Sequence, residues 1–240
     1  MRFSLLIAAA LFAAALLSNC ARVTEGIEVD VAYQPVATPA AVRTDLGYRV
    51  RLERAMIAVG RVELLRCDNF VLDLLKRVGA ARAKAHAFSS PTSLGVPLVI
   101  DLMESAGVPL FAGTLRPPPD RYCGIRVIAM PADQDAEGVT DENLDMLQNS
   151  VVIVGRVEDA EGVEQAALVA RIWDILLCEM SFGQPLVLNN PVLEGISIEI
   201  DQTKWFDGIN FADFALEEST EVQEQITQNI RSSLRAVLTN

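Results

Sequence analysis

The 240-residue sequence predicts a mainly β protein, a β-sandwich closed by a C-terminal amphipathic α-helix. Three observations carry that prediction. Short apolar runs alternate with polar residues at period two, turns rich in Pro, Gly and Asp separate them, and helical periodicity is unambiguous only near the C-terminus.

In chain order, Ile27, Val29, Val31 and Tyr33 alternate with Glu28, Asp30 and Ala32, the pattern of a strand with one face buried. Pro35 and Pro39 stop it. Tyr48, Val50 and Leu52 repeat the alternation, and an apolar-rich run spans residues 56–65. Arg54 breaks the phase between the two, which predicts a bulge or a corner. Within residues 69–88, Phe70, Leu74 and Val78 fit a helical stripe, but from Ala81 the pattern changes: Ala81, Ala83, Ala85 and Ala87 alternate with Arg82, Lys84 and His86, which predicts a strand.

Strands are predicted over residues 97–102 and 108–115. A rigid turn follows at Pro117, Pro118, Pro119 and Asp120, whose prolines cannot donate ladder hydrogen bonds. It leads into a strand over 122–130. Residues 151–157 and 163–171 form a predicted hairpin around the Asp159 to Gly162 turn, and residues 173–182 and 196–200 supply further strands. Val222, Ile226, Ile230, Leu234 and Leu238 then recur every four residues, predicting a helix over 219–239. Thr220 and Gln223 suit a capping box, and Arg231 and Arg235 suit the negative end of the helix dipole. With no repeat or low-complexity linker, residues 27–240 read as one domain.

The N-terminus gives an address. Arg2 is the sole charge before an almost purely Leu, Ala, Ile and Phe run at residues 3–17, too short to cross roughly 30 Å of hydrocarbon comfortably. A basic start, a short apolar run and small residues read as a signal peptide, residues 1–19, to be removed. Leu17, Ser18, Asn19 and Cys20 resemble the lipobox of bacterial lipoproteins, departing from it at Asn19. The resemblance implies lipidation of Cys20, a short tether at 20–26, and, with Ala21 following the cysteine, an outer-membrane destination. The alternative is ordinary signal-peptidase cleavage, with Ser18 and Cys20, or Ala13 and Ala15, as the small pair. Several acyl chains anchor stably, at about 0.8 kcal/mol per buried methylene.

The chain carries 20 basic and 32 acidic residues, a net charge of −12 that becomes −13 when Arg2 is removed. Such a surface repels phosphate backbones and excludes nucleic acid as a partner. The expected partners are the membrane, through the anchor, and another envelope protein or a small ligand. Beyond Cys20 lie three cysteines, Cys67, Cys123 and Cys178. In an oxidising compartment they allow one intramolecular bridge and one thiol left over. Cys178 sits in an apolar run, where free cysteine packs as a small hydrophobe. Cys67 and Cys123 sit beside charged residues and are the expected pair.

A second resemblance rests on Val99-Ile100-Asp101-Leu102, Gly113-Thr114-Leu115, the turn at residues 117–120, and Tyr122-Cys123-Gly124-Ile125-Arg126-Val127. These are similar to the "vDLL", "GxL" and "YxxIRV" strands of a family of uncharacterised bacterial lipoproteins with a prealbumin-like or immunoglobulin-like β-sandwich. The match covers about a third of the chain and departs at Asp120, where glycine is usual. It implies a fold and no activity.

Three constellations could carry chemistry. His86 is the only histidine, which removes histidine-rich metal centres; it reads as a residue on an exposed strand face, with a copper or haem ligand as the alternative. Ser89, Ser90 and Ser93 lie nearby, but no G-x-S-x-G elbow is present. Asp133, Asp135, Glu137 and Gly138 open like an oxygen-rich calcium loop with Asp141 as a later ligand, yet Leu144 stands where the closing glutamate belongs, and Glu142 or Asp145 could substitute only with a different geometry. The competing reading is a solvated acidic loop. Trp205, Phe206, Phe211 and Phe214 concentrate aromatic surface before the helix, as a ligand patch or as a core plug. The sequence therefore predicts a membrane-anchored, non-enzymatic binding or accessory module without a cofactor. Metal handling, with copper or calcium, is the alternative, and a carboxylate-dependent hydrolase comes third.

Overall fold

The computed structural model describes residues 27–37, 39–67, 89–95, 97–189, 192–211 and 220–239. Cys20, the leader and tether, His86 with the 69–88 stretch, and Phe214 lie outside the described residues.

Among the described residues twelve strands, β1 to β12, occupy Ile27–Pro35, Val42–Arg43, Arg49–Arg66, Ser93–Leu94, Leu98–Asp101, Leu110–Leu115, Asp120–Ala129, Val151–Glu158, Glu164–Ile172, Leu176–Leu188, Val192–Ile200 and Leu234–Thr239. Among the described residues one helix, α1, spans Thr220–Ser233, and 3₁₀ turns lie at Leu144–Leu147 and Gln202–Lys204. The strands form two sheets. The smaller is ordered β12-β11-β1-β6, and the larger runs β10-β7-β3-β8-β9 with β2, β4 and β5 also paired to β3. The predicted β-sandwich is what forms. Its core takes Val29 and Val31 from β1, Ile125 and Val127 from β7, Ile153 from β8 and Ile196 and Ile198 from β11, all buried.

β3 merges the two predicted strands at 48–52 and 56–65 into one of 18 residues. Its register against β8 shifts between Leu52 and Arg54, so the phase break at Arg54 is a β-bulge. The predicted hairpin is present as β8 and β9, with Gly162 at φ 86° in the turn. Along the centre of the large sheet Glu63, Arg126 and Glu179 stand opposite one another on β3, β7 and β10, and Arg126 binds both carboxylates, at 3.3 and 2.7 Å.

Cys67 and Cys123 form the expected disulfide, Cα to Cα 4.8 Å, which ties the end of β3 to β7. Cys178 is free and buried.

The C-terminal helix is shorter than its periodicity suggests. Val222, Ile226 and Ile230 are buried on α1, which packs on β10 and β9, but the helix stops at Ser233. Ser232 and Ser233 turn their hydroxyls back onto the carbonyls of Asn229 and Ile230, competing with the backbone ladder at that end. Leu234 to Thr239 then pair with β11 as β12, correcting the helix predicted over 219–239. The reason is arithmetic. A spacing of four is one helical turn and also two strand repeats, so Ile230, Leu234 and Leu238 satisfy either structure.

β3 is buried on both faces from Ala55 to Val59. Its inner face meets the main core. Its outer face, with β5 and β8, is covered by the 131–150 excursion, where Ala132, Ala136 and Met146 pack on Met56, Ala58, Val99 and Val152 in a second cluster.

Candidate functional site

That excursion and the turn after β5 are the walls of a groove of about 680 Å³ on the outer side of the large sheet. Its floor is Met56 of β3 with Val99 and Ile100 of β5; Glu104 and Ser105 stand on one side, Glu137, Thr140 and Glu142 on the other, and Phe111 at the lip.

Local chemistry holds each wall in place. On one side, Asp101 Oδ1 accepts from the amides of Met103 and Glu104 at 2.8 and 3.1 Å, and Gly107 N–H donates to Pro35 O at 2.8 Å. This is an Asx-type turn stapled to the end of β1. On the other side, Val99 N–H donates to Glu137 O at 2.8 Å and Glu137 N–H to Pro97 O at 3.0 Å. Asn143 Oδ1 accepts from Thr140 N–H at 2.7 Å while its Nδ2 donates to Gly138 O at 2.8 Å. Gly138 has φ 85°, and a Cβ there would lie 2.4 Å from Val99 O. Only glycine lets this wall approach β5 so closely.

The bulge on β3 also shapes the groove. In a regular strand neighbouring side chains point to opposite faces, but Glu53 and Arg54 both line the groove. Arg54 is held in a two-pronged pair with Asp145 of the excursion, Nη1 to Oδ2 at 2.8 Å and Nη2 to Oδ1 at 2.6 Å. Glu53 accepts from Arg156 Nε at 2.8 Å.

The sequence-predicted sites fall into place as follows. Among the described residues no group of three His, Cys, Asp or Glu side chains could hold a metal ion. The oxygen-rich loop of Asp133, Asp135, Glu137 and Asp141 is therefore not assembled as a ligand sphere. Asp133 is half-buried, Asp135, Glu137 and Asp141 are exposed, and Gly138 permits the close approach of this wall to β5. Trp205 and Phe206 are fully buried and Phe211 nearly so, which makes them the core plug and corrects the ligand-patch reading. Trp205 Nε1 donates to Ser233 Oγ at 2.9 Å, and Phe211 meets Tyr48 edge to face with centroids 5.4 Å apart.

Ser90 and Ser93 share a hydroxyl contact of 2.9 Å, and Arg61 Nη2 donates to Ser93 Oγ at 3.4 Å, so these hydroxyls belong to a polar cluster under β4. Burial pushes the Cys178 thiol up to about 11 and raises the Tyr33 phenol above its ordinary range. Both are protonated at neutral pH. Of the groove residues, Glu53, Glu104 and Phe111 had no signal in the sequence, Asp101 stood out only within a strand motif, and Glu142 only as a substitute closing ligand of the acidic loop; together these five were not read as one site. They come from four separate stretches that only the sheet and its bulge bring together.

No protein-family model matches the sequence, and no curated protein matches it. Among solved structures, MbnP from Methylosinus trichosporium is similar with 9% identity and a TM-score of 0.35, over 79% of this chain and 81% of that one. At that identity and that score, neither activity nor ligand transfers from one chain to the other. Among the described residues no helix is long and apolar enough to cross a membrane.

Proposed function

We propose that the chain is a binding module of the bacterial cell envelope, non-enzymatic, tethered by lipid on Cys20, with the groove between the 101–108 turn and the 131–150 excursion as its ligand site. The observation that carries this reading is the groove itself. It is an open groove of about 680 Å³, within the size range of small-molecule sites, and its walls are pinned by hydrogen bonds before any ligand arrives. The Cys67–Cys123 bridge supports an oxidising compartment. The lipobox-like Leu17 to Cys20 segment supports the tether.

Two measurements test the reading. Cys20→Ser should move the protein from the membrane to the soluble fraction with an unchanged melting temperature; wild-type protein found unlipidated by mass spectrometry overturns the anchor. Titration of the purified chain with mixed anionic, neutral and cationic fragments should perturb backbone amide resonances at residues 101–111 and 137–143. Perturbations that gather on another face overturn the groove as the site.

A further inference from the structure

We propose that the groove takes a small organic cation, an ammonium group carrying an aromatic or branched apolar arm. This deepens the reading of the groove as the ligand site and rests on it.

The charge on the walls is one-sided. Glu53, Asp101, Glu104, Glu137 and Glu142 line the groove against a single cation, Arg54. Arg54 is already matched by Asp145, and Glu53 by Arg156. Asp101 is engaged with the backbone of its own turn. Glu104, Glu137 and Glu142 are exposed, and among the described residues none has an ion-pair partner. Three carboxylates without an ion-pair partner, lining one concave and partly apolar space, focus a negative potential into it. An anion is repelled from such a space, and a cation is concentrated in it.

The apolar half of the ligand follows from a separate observation. Phe111 is 66% exposed, although it lies on β6 between half-buried neighbours. Its ring lines the groove together with the half-buried Leu98 and Leu110. An aromatic ring beside carboxylates is the arrangement that holds an ammonium over its face while covering an apolar arm. Arg61 lies close by. It lines an adjoining cavity of about 20 Å³ that shares Leu98, Phe111 and Glu137 with the groove, and its Nη2 donates to Ser93 Oγ at 3.4 Å, so carboxylates still outnumber guanidinium groups around the space. Glu53 and Arg54 have no role in the selectivity proposed; they hold the floor.

The test uses three isosteric probes on the purified chain: phenethylamine, 2-phenylethanol and phenylacetate. They are titrated by calorimetry and amide NMR at about 150 mM salt, where the Debye length is about 8 Å and distant surface charge is screened. Phenethylamine should bind at the groove at least about tenfold more tightly than phenylethanol, with phenylacetate weaker still. The triple variant Glu104→Gln, Glu137→Gln, Glu142→Gln should cost about tenfold in phenethylamine affinity. The charge-matched control Glu161→Gln, Asp174→Asn, Glu221→Gln should change it less than about twofold, and Phe111→Ala should weaken both phenethylamine and phenylethanol.

Equal losses in the two triple variants would assign the binding to the overall charge and overturn the proposal. So would groove perturbation by phenylethanol or phenylacetate as strong as that by phenethylamine, an outcome that leaves the groove a ligand site for another class. Perturbation confined to another face overturns both the proposal and the site.

Discussion

Arg54 and Asp145 are 91 residues apart in sequence and meet in a two-pronged guanidinium–carboxylate pair of 2.8 and 2.6 Å. It fastens the 131–150 excursion to the bulge on β3. Both side chains are about a quarter exposed, so solvent screens the pair, and Asp145→Ala should cost about 1 kcal/mol. The fork geometry should matter as well as the charge, so Arg54→Lys should recover only part of the loss. Urea midpoints and amide exchange at residues 132–149 read both effects; a global midpoint shift without local loss of protection would contradict the fastening role.

Gly138→Ala should destabilise by about 1–3 kcal/mol, because it combines a left-handed backbone with a Cβ 2.4 Å from Val99 O. The strain falls on the wall of the groove. Amide shifts at Val99 and Glu137 should therefore exceed those anywhere in the small sheet.

The Cys67–Cys123 bridge closes a loop of sequence separation 56, worth roughly 4 kcal/mol in the chain-entropy model. Reduction, or the double variant Cys67→Ala, Cys123→Ala, should lower the denaturation midpoint by a corresponding amount. The free energy extrapolated from urea unfolding with and without reductant measures it.

Ser233→Ala leaves the buried Trp205 N–H without its 2.9 Å acceptor and should cost about 1–3 kcal/mol. Since Ser233 ends α1 where β12 begins, loosening should show first in exchange at the helix end. Tryptophan fluorescence at the Trp205 site reports the same event.

Alkaline stability should depend on Cys178. Its folded-state thiol is raised from 9.0 to about 11 by burial, so between those values the unfolded chain loses the proton while the folded one keeps it. Stability is then intact below pH 9 and falls as pH rises towards 11, by up to about 3 kcal/mol in all. Tyr33 and Tyr122 are shifted the same way by burial, so the wild-type slope contains their share. The difference in slope between wild type and Cys178→Ala isolates the thiol, and identical slopes would refute the assignment.

Elements whose burial alternates along the chain were legible directly. β1 keeps the predicted alternation without a break from Ile27 to Pro35, and the Arg54 bulge and the Gly162 hairpin each had a local signal. The end of α1 had none, because leucines four apart suit a helix and a strand equally. The disulfide was legible from the setting of its cysteines. Gly138 was read as a cation-loop glycine, when its demand comes from β5, far away in sequence. Trp205 and Phe206 showed an aromatic cluster but not whether solvent reaches it. The groove was not visible at all, since its walls are joined through tertiary bonds such as Gly107 to Pro35 and Val99 to Glu137.

The parallel seam between β1 and β11 constrains the order of assembly. Ile27 faces Val192 and Pro35 faces Ile200, so the first described strand waits for nearly the last. β11 in turn carries β12 on its other edge. A chain emerging N-terminus first can pair β1 with β6 early, but the small sheet stays open until residues 192–239 arrive. Closure of the small sheet thus waits for β11 and β12, and a copy truncated before residue 192 keeps an unpaired strand edge along β1.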